Sequence, residues 1–317
     1  VSGLRTVFFH VTKACNLRCR YCYFSAANPL PDELSTAELC ALWPDVVAAR
    51  PEKLVITGGE PLLRADLLDV LRALGRANSG GAVRVCLNTN GRLVTADVAL
   101  ALRGLVHEVR VSVDGFREAN DAQRGDGSFD AAVGALEMLR AEGVPTKALV
   151  TVTPASLDGL GAWLATLVRR GVTAINVNPT RPVGRAGHEL TVTSAEVAAA
   201  IERAMPAQAR RPAVVEDDVP QSTCGVGHFV NVMPNGDVYP CHVLTDPARL
   251  CGSLRTQTFA EICGPEGLLA RFRALDLRAL APRLPALVRL PLLRAGGCLG
   301  EVAAASPQLR AQLPAGP

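Results

Sequence analysis

Three cysteines, Cys15, Cys19 and Cys22, form a C-x3-C-x2-C pattern directly after the β-type run Thr6-Val7-Phe8-Phe9-His10-Val11. Two short gaps let one loop wrap a small metal object and present three thiolates from one side. That donor set suits zinc or an iron–sulfur cluster. A closed zinc site wants a fourth Cys or His nearby, and the next cysteine is Cys40, inside a helical pattern. Three ligands leave one iron of a [4Fe–4S] cube open, and an open position is where chemistry happens. The plain alternative is three reduced cysteines packed as small hydrophobes.

The rest of the chain alternates. Apolar runs at 53–57, 83–88, 108–113, 146–152 and 174–178 read as buried strands. Between and after them, helical patterns cover about 35–50, 65–77, 95–105, 129–142, 157–170 and 194–205, the first capped by Ser35 or Thr36 with Glu38 in its first turn. With 6–11 in front, this makes six βα units around a parallel, buried sheet. Six units do not close an eight-stranded barrel, so the expected fold class is α/β, a partial (β/α)6 barrel over residues 1–205. Polar and glycine residues sit just after the strand ends, where βα barrels place their active sites. From about 206 the pattern changes. A polar linker carries Glu216, Asp217 and Asp218; a β-hairpin turns at Asn235-Gly236; a short helix lies near 258–262. Residues 206–305 are read as a small extension and 306–317 as a disordered tail.

A chain of 317 residues, 49% of them hydrophobic, has room for one large domain and such an appendage. Its net charge of +3 comes from scattered lysines and arginines, so neither a nucleic-acid stripe nor a polybasic membrane tract is expected. No apolar run reaches membrane-spanning length and no signal-peptide pattern is visible. Ten cysteines in such a chain point to metal and thiol chemistry in a reducing, cytoplasmic compartment.

The cysteine run, with Tyr21 just before its third cysteine, resembles the signature of the radical S-adenosylmethionine (radical SAM) family. Gly58-Gly59-Glu60-Pro61, one βα unit later, resembles the motif with which that family holds the cofactor's methionine amino group. Two glycines also let a backbone approach a ligand closely. Ser112, closing the fourth strand, and Arg124 resemble the pair that contacts the cofactor carboxylate. Asn88 is a candidate for the ribose or the substrate. The resemblance implies the partial barrel, a [4Fe–4S] cluster on Cys15, Cys19 and Cys22, bound S-adenosylmethionine, and an external one-electron reductant such as flavodoxin or ferredoxin. It also implies reductive cleavage of the cofactor to a 5′-deoxyadenosyl radical that abstracts hydrogen.

Cys224, eleven residues, Gly236, four residues and Cys241 resemble the opening of the family's SPASM and twitch extensions, which hold auxiliary iron–sulfur clusters. The full SPASM pattern would place cysteines where this chain has Pro285, Val288 and Arg294. The resemblance therefore implies one auxiliary [4Fe–4S] cluster on Cys224, Cys241 and Cys298, its fourth ligand open among Cys251, Cys263, Asp218 and a substrate atom. Cys40, Cys86 and Cys263 read as inert buried thiols. Cys251 reads either as a small buried residue or as a hydrogen-atom donor. The latter resembles radical SAM epimerases that invert a sugar carbon of an aminoglycoside, and Glu216, Asp217 and Asp218 would suit such a polycationic small-molecule substrate. The rivals are a radical SAM dehydrogenase of an aminocyclitol or sugar alcohol, a peptide-modifying maturase and a non-catalytic iron–sulfur sensor. Maturases usually bring an N-terminal peptide-binding module, for which the early first strand leaves no room.

Overall fold

The computed structural model describes residues 3–204, 214–215, 225–275, 299 and 306–316. Strands β1 (Thr6–His10), β2 (Lys53–Thr57), β3 (Arg84–Thr89), β4 (Glu108–Ser112), β5 (Thr146–Val152) and β6 (Ala174–Pro179) lie side by side in chain order, all parallel. Helices α1 (Thr36–Ala48), α2 (Leu67–Ala77), α3 (Ala96–Leu102), α4 (Arg117–Arg124), α5 (Ser128–Ala141), α6 (Pro154–Leu157), α7 (Leu160–Arg169) and α8 (Ser194–Ala204) supply the crossovers and the flank beyond β6. The six βα units are as expected, and α1 begins with the expected Ser35–Glu38 capping box.

Two features go beyond that reading. Strand β7 (Val214–Val215) pairs with β6, and β8 (Phe229–Val232), the first strand of the expected hairpin, pairs in parallel with β1. Antiparallel β9 (Asp237–Tyr239) and β10 (Gly252–Ser253) continue that edge. The sheet runs β10-β9-β8-β1-β2-β3-β4-β5-β6-β7 and does not close.

Strand alternation sorts the residues onto two faces. Val7, Phe9, Leu54, Ile56, Val85, Leu87, Val109, Val111, Val150 and Val230 face the helices and form one apolar core. Trp43 of α1 anchors it, edge-on to Phe9 at 4.9 Å, with its indole N–H donating to the Val70 carbonyl at 3.2 Å. The other face mixes polar and charged side chains with a few apolar ones. Register aligns Asn231, Phe8, Val55, Cys86 and Glu108 in one row, and Asn88, Arg110 and Lys147 in the next. Glu108 accepts from Arg110 at 2.7 Å and lies 4.0 Å from the Lys147 ammonium. Burial works against its charge, but Arg110, Lys147 and Arg84 outweigh it and hold the carboxyl below its usual range.

After β10, α9 (Phe259–Ile262) and α10 (Leu268–Arg273) pack beneath the extension. The expected disordered tail is a correction: Pro307–Gln312 forms a helix, α11, capped by Ser306. Leu309 and Leu313 join Val226, Leu244, Phe272 and Leu299 in a second apolar cluster, and buried Arg249 donates to the carbonyls of Arg310 and Pro314 at 2.6 and 2.7 Å. Leucine spacing and a serine cap were the missed signal. Replacing Leu309, fully buried there, by Ala should cost about 2–4 kcal/mol, read as a lower urea midpoint with the barrel's circular dichroism retained.

Candidate active site at the strand ends

The cysteine loop leaves β1 and folds back on itself. The Cys15 N–H donates to the Ala27 carbonyl at 2.9 Å, and the Ala27 N–H to the Lys13 carbonyl at 3.0 Å. The glycine motif docks onto its base. Gly59 and Glu60 donate backbone N–H groups to the carbonyls of Thr12 and Ala14, each at 2.8 Å. A Cβ at Gly58 would lie 2.4 Å from the Thr12 oxygen, and one at Gly59 2.1 Å from the Ala14 oxygen. Gly58 also has φ +154°. These N–H groups are committed, so what the Gly-Gly backbone can offer a ligand is carbonyl oxygen, suited to an ammonium. The Glu60 side chain is fully buried and accepts from Leu62 N, Thr89 Oγ1 and Asn90 N at 3.1, 2.9 and 2.7 Å. It therefore braces β3 against the loop rather than pointing outward. Burial pushes its carboxyl up to about 7 against those three bonds.

The three cysteines sit half-buried on one loop, and burial raises the cost of ionising Cys15 and Cys19, with Cys22 adding to it in both. Burial pushes the Cys15 thiol up to about 11, partly offset by a Leu17 N–H that donates to its sulfur at 3.4 Å. Among the described residues no three His, Cys, Asp or Glu side chains converge on a single metal ion. Three thiols carried on one loop are the donor type that a four-iron cube takes.

Tyr21 and Arg124 meet at a residue the sequence reading passed over. Asp114, buried two positions beyond Ser112, takes the Tyr21 hydroxyl, Arg124 Nε and Nη2 at 2.6 and 3.0 Å, and the Thr151 N–H at 2.9 Å. Burial pushes the Tyr21 phenol well above its usual range, so it donates to Asp114. The expected role of Arg124 narrows accordingly, since two of its three guanidinium nitrogens already hold Asp114. Asn88, from β3, has a buried side-chain oxygen without a partner, as does Gln123, whose backbone carbonyl accepts from Arg20 N at 2.9 Å. A glycine cradle that a Cβ would fill, an orphaned amide oxygen and a sulfur-accepting loop all fit a cluster and its nucleoside cofactor.

Several neighbours carry no local sequence signal. His10 is fully buried, 2.9 Å from Asn231 of β8 and stacked on Phe24 at 4.2 Å. Tyr23 packs edge-on to His242 of the extension at 5.2 Å. Arg185, after β6, bonds the carbonyls of Cys19 and Ala26 at 2.9 and 2.8 Å. On the extension side, the Cys241 sulfur accepts from Leu244 N at 3.4 Å, as Cys15 does from Leu17. Cys251 differs: its sulfur donates to the Arg249 carbonyl at 3.4 Å, and burial pushes the thiol up to about 12. It packs against both apolar clusters rather than among the groups around the cysteine loop. Cys40 is half-buried, and Cys86 and Cys263 are fully buried. Cys224, Cys298, Glu216, Asp217 and Asp218 lie outside the described residues.

The radical SAM superfamily model matches residues 9–160, and that of SPASM, an iron–sulfur cluster-binding domain, matches 224–283. The mycofactocin maturase MftC of Mycobacterium ulcerans is 32% identical over 270 residues, covering 78% of this chain and 71% of the relative. The chain belongs to the radical SAM superfamily. The mycofactocin maturase MftC of Mycolicibacterium smegmatis is 36% identical over 180 residues, 56% of this chain and 45% of the relative. An AdoMet-dependent heme synthase of Methanosarcina barkeri is 27% identical over 291 residues, 81% of each chain. Several alignments thus span about half the relative's length or less, 45%, 47% and 39% in three cases. Streptococcus suis SuiB bound to precursor peptide SuiA superposes with a TM-score of 0.72 at 14% identity, covering 96% of this chain and 73% of that one. The partial barrel with a SPASM extension is therefore the family fold, and the family's cofactors are [4Fe–4S] clusters and S-adenosylmethionine. Among the described residues no helix is long and apolar enough to cross a membrane.

Two outcomes test this site. Gly59→Ala puts a methyl group against the Ala14 backbone, so the loop cannot close; iron retained per chain should fall by about half while circular dichroism stays unchanged. His10 sits at about 4, below its ordinary 6.5, because burial disfavours its charged form. A depressed histidine contributes stability that is present above pH 6.5 and lost as pH falls toward 4. Between pH 7 and pH 5 the wild-type chain should lose about 2 kcal/mol more than His10→Gln in denaturant melts.

Proposed function

We propose that this chain is a radical SAM maturase acting on a peptide. The carrying observation is the 32% identity to a maturase over 270 residues, which runs through barrel and extension together. The heme-synthase relatives and the sugar-directed readings compete with it for substrate class. In this reading Cys15, Cys19 and Cys22 hold the first cluster, and the Gly58 and Gly59 carbonyls take the cofactor's ammonium. Ser112 and the remaining Arg124 nitrogen take its carboxylate, and the orphaned Asn88 oxygen accepts from the ribose. Cluster and cofactor together supply the radical that abstracts hydrogen from substrate. The protein's part is to brace the loop, orient the cofactor and line the concave face with polar groups. Cys224, Cys241 and Cys298 hold the auxiliary cluster. Cys263, buried in the main core, and Cys251, held as a thiol, are poor fourth ligands, which leaves Asp218 or a substrate atom.

A second reading, a sugar-carbon epimerase, is favoured by Cys251 alone: a thiol that keeps its hydrogen can return one to a carbon radical. One assay separates them. Reconstituted, reduced enzyme is given S-adenosylmethionine in deuterated water, with synthetic peptide pools or an aminoglycoside panel, and 5′-deoxyadenosine is quantified. The maturase reading expects stimulation by peptide pools and a changed peptide mass. Stimulation by aminoglycosides alone, with one deuterium in the product that Cys251→Ala abolishes, overturns it in favour of the epimerase.

A further inference from the structure

Arg185 lies in the loop after β6, on the far side of the barrel from β1, yet its contacts are with the cysteine loop. Its Nε donates to the Cys19 carbonyl at 2.9 Å, its Nη1 to the Ala26 carbonyl at 2.8 Å, and its own N–H to the Cys22 carbonyl at 3.0 Å. Gly184 makes the approach possible. It has φ +65°, and a Cβ there would lie 2.3 Å from the Cys22 oxygen and 2.4 Å from the Tyr23 oxygen. One side chain thus spans the loop from its second cysteine to the residue before its closing bridge at Ala27.

The charge is as telling as the contacts. Arg124, the other guanidinium beside Cys19, is bonded at two points to Asp114, and that pair is close to neutral. Arg185 is half-buried and makes no ion pair among the described residues; its partners are carbonyl oxygens. Arg18 and Arg20, on the same loop, are exposed, where water screens them. A half-buried, unneutralised cation next to a thiolate ligand stabilises added negative charge there.

We infer that Arg185 is a positioning residue for the first cluster: it closes the cysteine loop from β6, and its charge favours the reduced cluster. The inference rests on the reading that Cys15, Cys19 and Cys22 hold an iron–sulfur cluster. The test is an EPR-monitored redox titration of the reconstituted full chain, the first cluster being the one whose signal changes on adding S-adenosylmethionine. Arg185→Gln keeps a hydrogen-bond donor and loses the charge; Arg185→Lys keeps the charge and loses the two-point reach. At the wild-type midpoint potential the reduced:oxidised ratio should fall about tenfold in the Gln form, about 59 mV for a one-electron couple, and stay within twofold in the Lys form. Iron lost from the Gln form alone, with both forms folded by circular dichroism, supports the same charge requirement. Gln titrating like wild type, both variants shifting equally, or iron lost from both overturns the inference. A wild-type chain with no S-adenosylmethionine-responsive signal instead overturns the function proposed above.

Discussion

The site depends on two backbone hydrogen bonds, from the Gly59 and Glu60 N–H groups to the Thr12 and Ala14 carbonyls. They join the end of β2 to the start of the cysteine loop before any metal is considered. Both glycines are needed because the chains approach to a distance that leaves no room for a side chain. From this seam the other constraints follow. Glu60 can turn its carboxylate sideways to hold Thr89 and Asn90 only because its backbone is already fixed.

Buried charge is handled differently at the two levels of the concave face. At the floor, Glu108 is surrounded by Arg110, Lys147 and Arg84, and the arrangement fills the sheet interior that apolar side chains fill elsewhere. At the rim, Asp114 satisfies a phenol, a guanidinium and a backbone N–H at once. A buried carboxylate with that many donors is a rigid post, and replacing one donor would leave the carboxylate short of a partner. The rim can therefore hold Tyr21 and Arg124 in place while keeping Ser112 and Asn88 available.

The barrel was legible because βα alternation writes itself in apolar runs and helix caps, and the cysteine and glycine motifs are contiguous. Ser112 and Asn88 could be placed at strand ends for the same reason, whereas Arg124 closes α4. Asp114 was visible as a letter but not as a hub, since its partners come from three separate segments, the cysteine loop, α4 and β5. Arg185, His10 and Asn231 act across long sequence separations, with no local pattern to mark them. The pairing of β8 with β1 was hidden because a hairpin signal says nothing about which edge its first strand joins. The C-terminal helix was missed because a proline- and alanine-rich stretch scores as tail when its leucines are not seen to have a receiving cluster.

That β8–β1 pairing has a mechanical consequence. The first thiolate loop leaves β1, β1 is hydrogen-bonded to β8, β8 to β9, and Cys241 follows β9 two residues later. Because β9 runs antiparallel to β8, the cysteine loop and the Cys241 turn leave opposite ends of one continuous ladder. Their separation is a fixed dimension of the sheet, so electron tunnelling between the two positions would have the same distance in every cycle. Access for a bulky substrate must then come from loops and side chains, since opening the extension like a door would tear strands out of the barrel.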